Sequence, residues 1–172
     1  MKNIFALILL LSLTSCVIQQ KVQDGKAGTP GTGSVNEPII PGFDQKLADS
    51  LGADKYGMKS YFLAILKTGA KDKEITDKNL RAELFKGHFS NMQAMEESGK
   101  LKLAGPFSTN NHLGYRGIFL LDVKTEEEAK ALLVNDPTIK AGIFDVEILP
   151  WYGSAAIPMH LDYHKKVAKE NP

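Results

Sequence analysis

Hydrophobic and polar positions change period several times between residues 58 and 151. In "MKSYFLAILKTG", Tyr61, Leu63 and Ile65 alternate with Phe62, Ala64 and Leu66, which predicts a strand buried on both faces. After the polar "AKDKEI", Leu80, Leu84, Met92 and Met95 recur at steps of three or four, with Phe85 and Phe89 beside them. That spacing predicts an amphipathic helix, capped by Thr76 or Asp77 and ended by Gly99. "KLKLAGPF" predicts a second strand, "STNNHLG" a loop, and "YRGIFLLDV" a third strand apolar on both faces. "KTEEEAKALLVND" predicts a helix opened by Thr125, with Glu128 at the capping-box position. "GIFDVEILPW" predicts the last strand. A shorter helix is expected ahead of all this, from Asp44 to Leu51.

The order is βαββαβ. It predicts an α+β, ferredoxin-like domain: a four-stranded antiparallel sheet with two helices on one face. Two helices cannot cover both faces, yet the strands are apolar on both. A second copy of the chain, sheet against sheet, would cover the open face, so a homodimer is expected.

The N-terminus has a different character. "MKNIFALILLLSLTSC" places an apolar run after Lys2. The run is shorter than the ~20 residues that cross a bilayer and suits a signal peptide. Leu13, Thr14 and Ser15 precede Cys16 as in a bacterial lipobox, which makes Cys16 the candidate lipidation site. The expected address is the bacterial cell envelope, periplasm-facing, on the outer rather than the inner membrane. "VIQQKVQDGKAGTPGTGSVNEPIIPG" is rich in Gly, Pro, Ser and Thr and predicts a tether spanning about 25–30 Å root-mean-square. The expected organisation is therefore a signal peptide at 1–15, lipidated Cys and tether at 16–56, a folded domain at 57–151, and a partly helical tail at 152–172.

Composition narrows the function classes. The formal net charge of the 172 residues is +1, and loss of Lys2 with the signal leaves it about zero. No basic patch is evident, so nucleic acid is not an expected partner. Cys16 is the sole cysteine, which excludes an intramolecular disulfide and a Cys-based metal site. "GTPGTG" lacks the strand before it and the Lys-Ser/Thr after it that a phosphate loop needs. His160 and His164 have the i,i+4 spacing of a zinc helix, but without the adjacent Glu or a third ligand. No "GxSxG" is present. The expectation is no metal and no bound cofactor.

Four residues could carry chemistry. His88 lies four residues after Leu84 and four before Met92, so its ring should face the sheet. It suits either a core histidine or a proton carrier, since imidazole titrates near neutrality. Asp136, before Pro137, suits a helix cap, and a carboxylate fixed at a tight turn could also orient a histidine. Arg116 begins the third strand on the face of Ile118 and Leu120, where it could reach solvent at an edge or clamp an anion. Asn91, one turn after His88, could hydrogen-bond a substrate.

"HFSNMQAMEESGKLKLAGPF" followed by "NDPTIKAGIFDVEILPW" resembles the YciI-like (YCII-related) domains of the dimeric α+β barrel superfamily. The shared marks are His88, Gly105-Pro106, Asp136-Pro137 and Ala141-Gly142, and the resemblance runs from Tyr61 to Trp151. It implies a ferredoxin-like fold, a dimer, a cleft between sheet and helices, and His88 with Asp136 as the active-site pair. Members of the family include dehydrochlorinases; relatives include muconolactone isomerases and small monooxygenases. One departure concerns anions: many members carry a basic residue one turn ahead of the His, where this chain has Phe85, with Arg81 a turn further back. The resulting expectation is a lipid-anchored small-molecule enzyme. Its His/Asp pair would serve isomerisation, elimination or hydrolysis of a small cyclic or unsaturated acid. A non-catalytic binding or scaffold module is the alternative.

Overall fold

The computed structural model describes residues 41–170; the expected signal peptide, Cys16 and most of the tether lie outside them. The elements run α1 (Gln45–Leu51), β1 (Met58–Thr68), α2 (Lys78–Glu97), β2 (Leu101–Pro106), β3 (Tyr115–Leu121), α3 (Glu126–Leu133), α4 (Pro137–Lys140), β4 (Phe144–Ser154) and α5 (His160–Val167). The four strands form one antiparallel sheet in the order β2-β3-β1-β4. This is the ferredoxin-like α+β arrangement.

Local chemistry sets the boundaries. Asp77 caps α2 through a 2.8 Å bond from the Leu80 N–H. Thr125 accepts from the Glu128 N–H at 3.1 Å, and Glu128 reaches back to the Lys124 N–H at 2.9 Å. That is a capping box shifted by one residue. Only part of the predicted α2 stripe packs inward: Met95 is buried and Leu84 and Met92 lie against the core, whereas Leu80 is exposed.

Residues directly paired across strands point to the same side of a sheet. Ala64 pairs with Phe119 and Ile148, and Leu66 with Gly117 and Val146. These face the helices and, with Leu121, Met95, Leu133 and Ile143, make the core. Leu63 pairs with Leu120 and Leu149, Ile65 with Ile118, and Tyr61 with Trp151, so this second apolar set faces away from the helices.

That second face is partly covered within the chain itself. β4 runs to Ser154, three residues beyond the expected end at Trp151. A 3-10 turn at Ile157–Met159 then reaches β2, at the opposite edge of the sheet. Tyr61 and Leu120 are buried on this face, while Leu149 and Trp151 remain about 40% exposed.

Candidate functional site

α2 carries His88 over the middle of the sheet. Its ring stacks on Phe119 at 5.8 Å between centroids, with Phe144 at 5.5 Å and Phe85 and Phe89 edge-on at 6.1 and 5.6 Å. Four aromatic contacts fix the ring plane, and His88 is 6% exposed.

The connection between α3 and β4 brings in the carboxylate. Asp136 is the N-cap of the four-residue α4, with Pro137 in the first turn, as expected of an Asp-Pro pair. α4 packs on α2 because of Gly87: a Cβ there would sit 2.6 Å from the Pro137 ring, so only glycine lets the two elements meet so closely. The next residue along α2 is His88. Gly142, at φ 77°, then turns the chain out of α4 toward β4, a conformation that glycine adopts without strain.

Asp136 is fully buried, and its Oδ2 lies 2.6 Å from His88 Nδ1. Its Oδ1 accepts two bonds from Thr138, from the backbone N–H at 2.9 Å and from the hydroxyl at 2.6 Å. Burial alone would push the Asp136 carboxyl up. Hydrogen bonds from His88 and Thr138, with the charge of His88, outweigh burial and hold it below the ordinary carboxylate value. An ionised carboxylate can only accept, so His88 Nδ1 must carry the proton. His88 Nε2 makes no hydrogen bond among the described residues, and no buried side-chain nitrogen or oxygen there lacks a partner. Nε2 therefore opens to the space that His88 lines.

That space is a cavity of about 560 Å³ between α2 and the sheet. Leu66, Phe85, Met92, Phe119 and Phe144 give it apolar walls, and residues 107–110 edge its mouth. Its volume is in the range of small-molecule sites.

Arg116 lines the same cavity, contrary to its expected position beside Ile118 and Leu120. The cause is a β-bulge. Leu66 pairs with Gly117 but Lys67 pairs with Tyr115, leaving Arg116 as the extra residue on β3. A bulge re-aims a side chain. The guanidinium lies 5.5 Å from the Phe144 ring and 3.4 Å from Asp72 Oδ2.

Asn91 is not part of the cavity. Its amide points toward α3 and donates to the Leu132 carbonyl at 3.4 Å, a contact between helices. Arg81 is also committed elsewhere, to the carboxylate and carbonyl of Asp72 and the Ile75 carbonyl. Thr138 was absent from the sequence-based candidates. A hydroxyl residue two positions after a capping Asp is the local signal for it.

The chain belongs to the YCII-related domain family, whose model matches residues 61–152. Among solved structures it is similar to a 5-chloro-2-hydroxyhydroquinone dehydrochlorinase from Burkholderia phenoliruptrix in complex with 2,5-dihydroxybenzoquinone. That similarity is 18% in sequence over 53% of this chain and 92% of that one, with a TM-score of 0.39. No curated protein matches the chain.

Proposed function

We propose that the domain binds a small organic molecule in the cavity and moves a proton on it through His88 Nε2. The observation that carries this reading is the buried 2.6 Å contact of Asp136 with His88 Nδ1, which leaves Nε2 as the ring atom open to the cavity. Asp136 fixes the tautomer and favours the imidazolium once Nε2 has accepted a proton. Nε2 then takes a proton from an acidic carbon or hydroxyl and returns it to another atom, or to a leaving group. The reaction class is isomerisation or elimination on a small cyclic or unsaturated acid, with hydrolysis as the variant in which water is the proton source. Dry aromatic walls would raise the strength of every polar contact inside.

The setting we propose is a homodimer held at the periplasmic side of a bacterial membrane by lipid on Cys16. The dimer would form through the part of the outer sheet face that Leu149 and Trp151 leave exposed. Sedimentation as a monomer at micromolar concentration contradicts the dimer. Palmitate labelling that persists in Cys16→Ser contradicts the anchor.

Crystals soaked in a metabolite mixture test the site, with ligand density expected against His88 Nε2. His88→Asn follows, because an Asn amide can still donate to Asp136 while Nε2 is lost. Binding kept with turnover abolished supports catalysis. Turnover unchanged in His88→Asn contradicts it, and a ligand bound without turnover in the wild type supports a binding module instead.

A further inference from the structure

Arg116 and His88 line one cavity, and both lie against Phe144. The His88 ring and the guanidinium carbon each lie 5.5 Å from that phenyl ring. A single small molecule can therefore reach both. Around Arg116 the charges do not balance. Asp72 is the one carboxylate bonded to it, and Asp72 is shared with Arg81, which holds its Oδ1 at 2.8 Å. Arg81 spends its remaining contacts on the Asp72 and Ile75 carbonyls. Two guanidinium charges thus face one carboxylate. Arg116 contributes only Nη1 to it, at 3.4 Å, and its Nε and Nη2 have no partner among the described residues.

An arginine fork with unspent donors at the edge of an apolar cavity is matched by a planar anion accepting two parallel hydrogen bonds. The charge count selects a monoanion: one negative group balances the local excess, and a second would enter an aromatic-walled space unpaired. The flat walls of Phe85, Phe119 and Phe144 favour a flat body behind that group. We infer that Arg116 is the anchor for the carboxylate, or an equivalent planar oxyanion, of a monoanionic ligand with a flat ring or unsaturated body, whose far side is presented to His88. This rests on the cavity proposed above as the site of a small acid, and it adds the residue that holds the acid and the limit to one negative charge.

Binding to the full chain in detergent, measured by calorimetry at pH 7, tests it. The probes are benzoate, its neutral isostere benzamide, and phthalate as the dianion. Benzoate should bind at least about tenfold more tightly than either of the others. Arg116→Gln should erase the preference over benzamide while leaving benzamide affinity within about twofold. Arg116→Lys, which keeps charge and loses the fork, should retain a reduced preference, and it serves as the second variant if Arg116→Gln does not fold. No preference for benzoate over benzamide overturns the inference, as does a preference that survives Arg116→Gln. Because the readout is binding, it separates from the acid–base reading. Benzoate selectivity through Arg116 in a protein with no turnover leaves the anion anchor standing and removes the catalysis.

Discussion

Two pairs of a basic side chain and a carboxylate each give their basic member to the same cavity and are held in opposite ways. The side chains of His88 and Asp136 are 7% and 0% exposed, 2.6 Å apart, and both carboxylate oxygens accept hydrogen bonds. The side chains of Arg116 and Asp72 are 32% and 15% exposed, 3.4 Å apart, and two of the three guanidinium nitrogens have no partner among the described residues. The first pair is locked by the α2–α4 contact and a cap. The second sits where a bulged strand meets the loop after β1. A buried, fully satisfied pair preserves one geometry, which a proton carrier needs. A loose pair near the surface is weak and can yield its arginine to a ligand at small cost.

Substitutions should separate the two. Asp136→Ala should have the largest effect, about 3–5 kcal/mol of stability, because it strands a buried histidine and removes a cap; urea denaturation measures it. Gly87→Ala should cost about 1–3 kcal/mol by driving Pro137 away from α2. It should also lengthen the His88–Asp136 contact, seen as a change in the His88 imidazole resonances. Thr138→Val should cost about 1–3 kcal/mol, since it leaves one buried carboxylate oxygen short of a donor; Thr138→Ser should restore most of that. Arg116→Gln should fall under ~1 kcal/mol. If it destabilised the fold as much as Asp136→Ala, the contrast between the pairs would be wrong.

Acid sharpens the same contrast. The Asp136 carboxyl lies below its ordinary value in the folded protein. Its contribution to stability is therefore fully present above the ordinary unfolded value and is lost as pH falls through the lower folded one. The stability gap between wild type and Asp136→Asn should narrow as pH falls below about 4. A gap that stays constant to pH 2 would mean that the carboxylate is not what stabilises the turn.

Much of this was legible in the chain. Period changes located the four strands and two main helices, and the four-residue steps from Leu84 to His88 to Met92 put the imidazole toward the sheet. Asp136 was legible as a cap because Asp-Pro has a local meaning. Its meeting with His88 was less so, since strand order alone does not bring α2 to the entry of β4. The missing signal was Gly87, a glycine inside a helix at the point of closest approach. Arg116 was placed on the wrong face because strict alternation cannot register a bulge, which shifts the parity of one strand only. Asn91 shared the helical neighbourhood of His88, but its angle around α2 carries it toward α3. Pattern reading resolves faces well and the flank of a helix poorly.

The central claim is that His88 holds its proton on Nδ1 against Asp136 and keeps Nε2 free for the cavity. Nitrogen-15 NMR of the imidazole above its titration range tests this most directly. The structure predicts a protonated Nδ1, an Nε2 with the shift of a bare lone pair, and loss of that tautomer preference in Asp136→Asn. A proton resident on Nε2 in the wild type would contradict it.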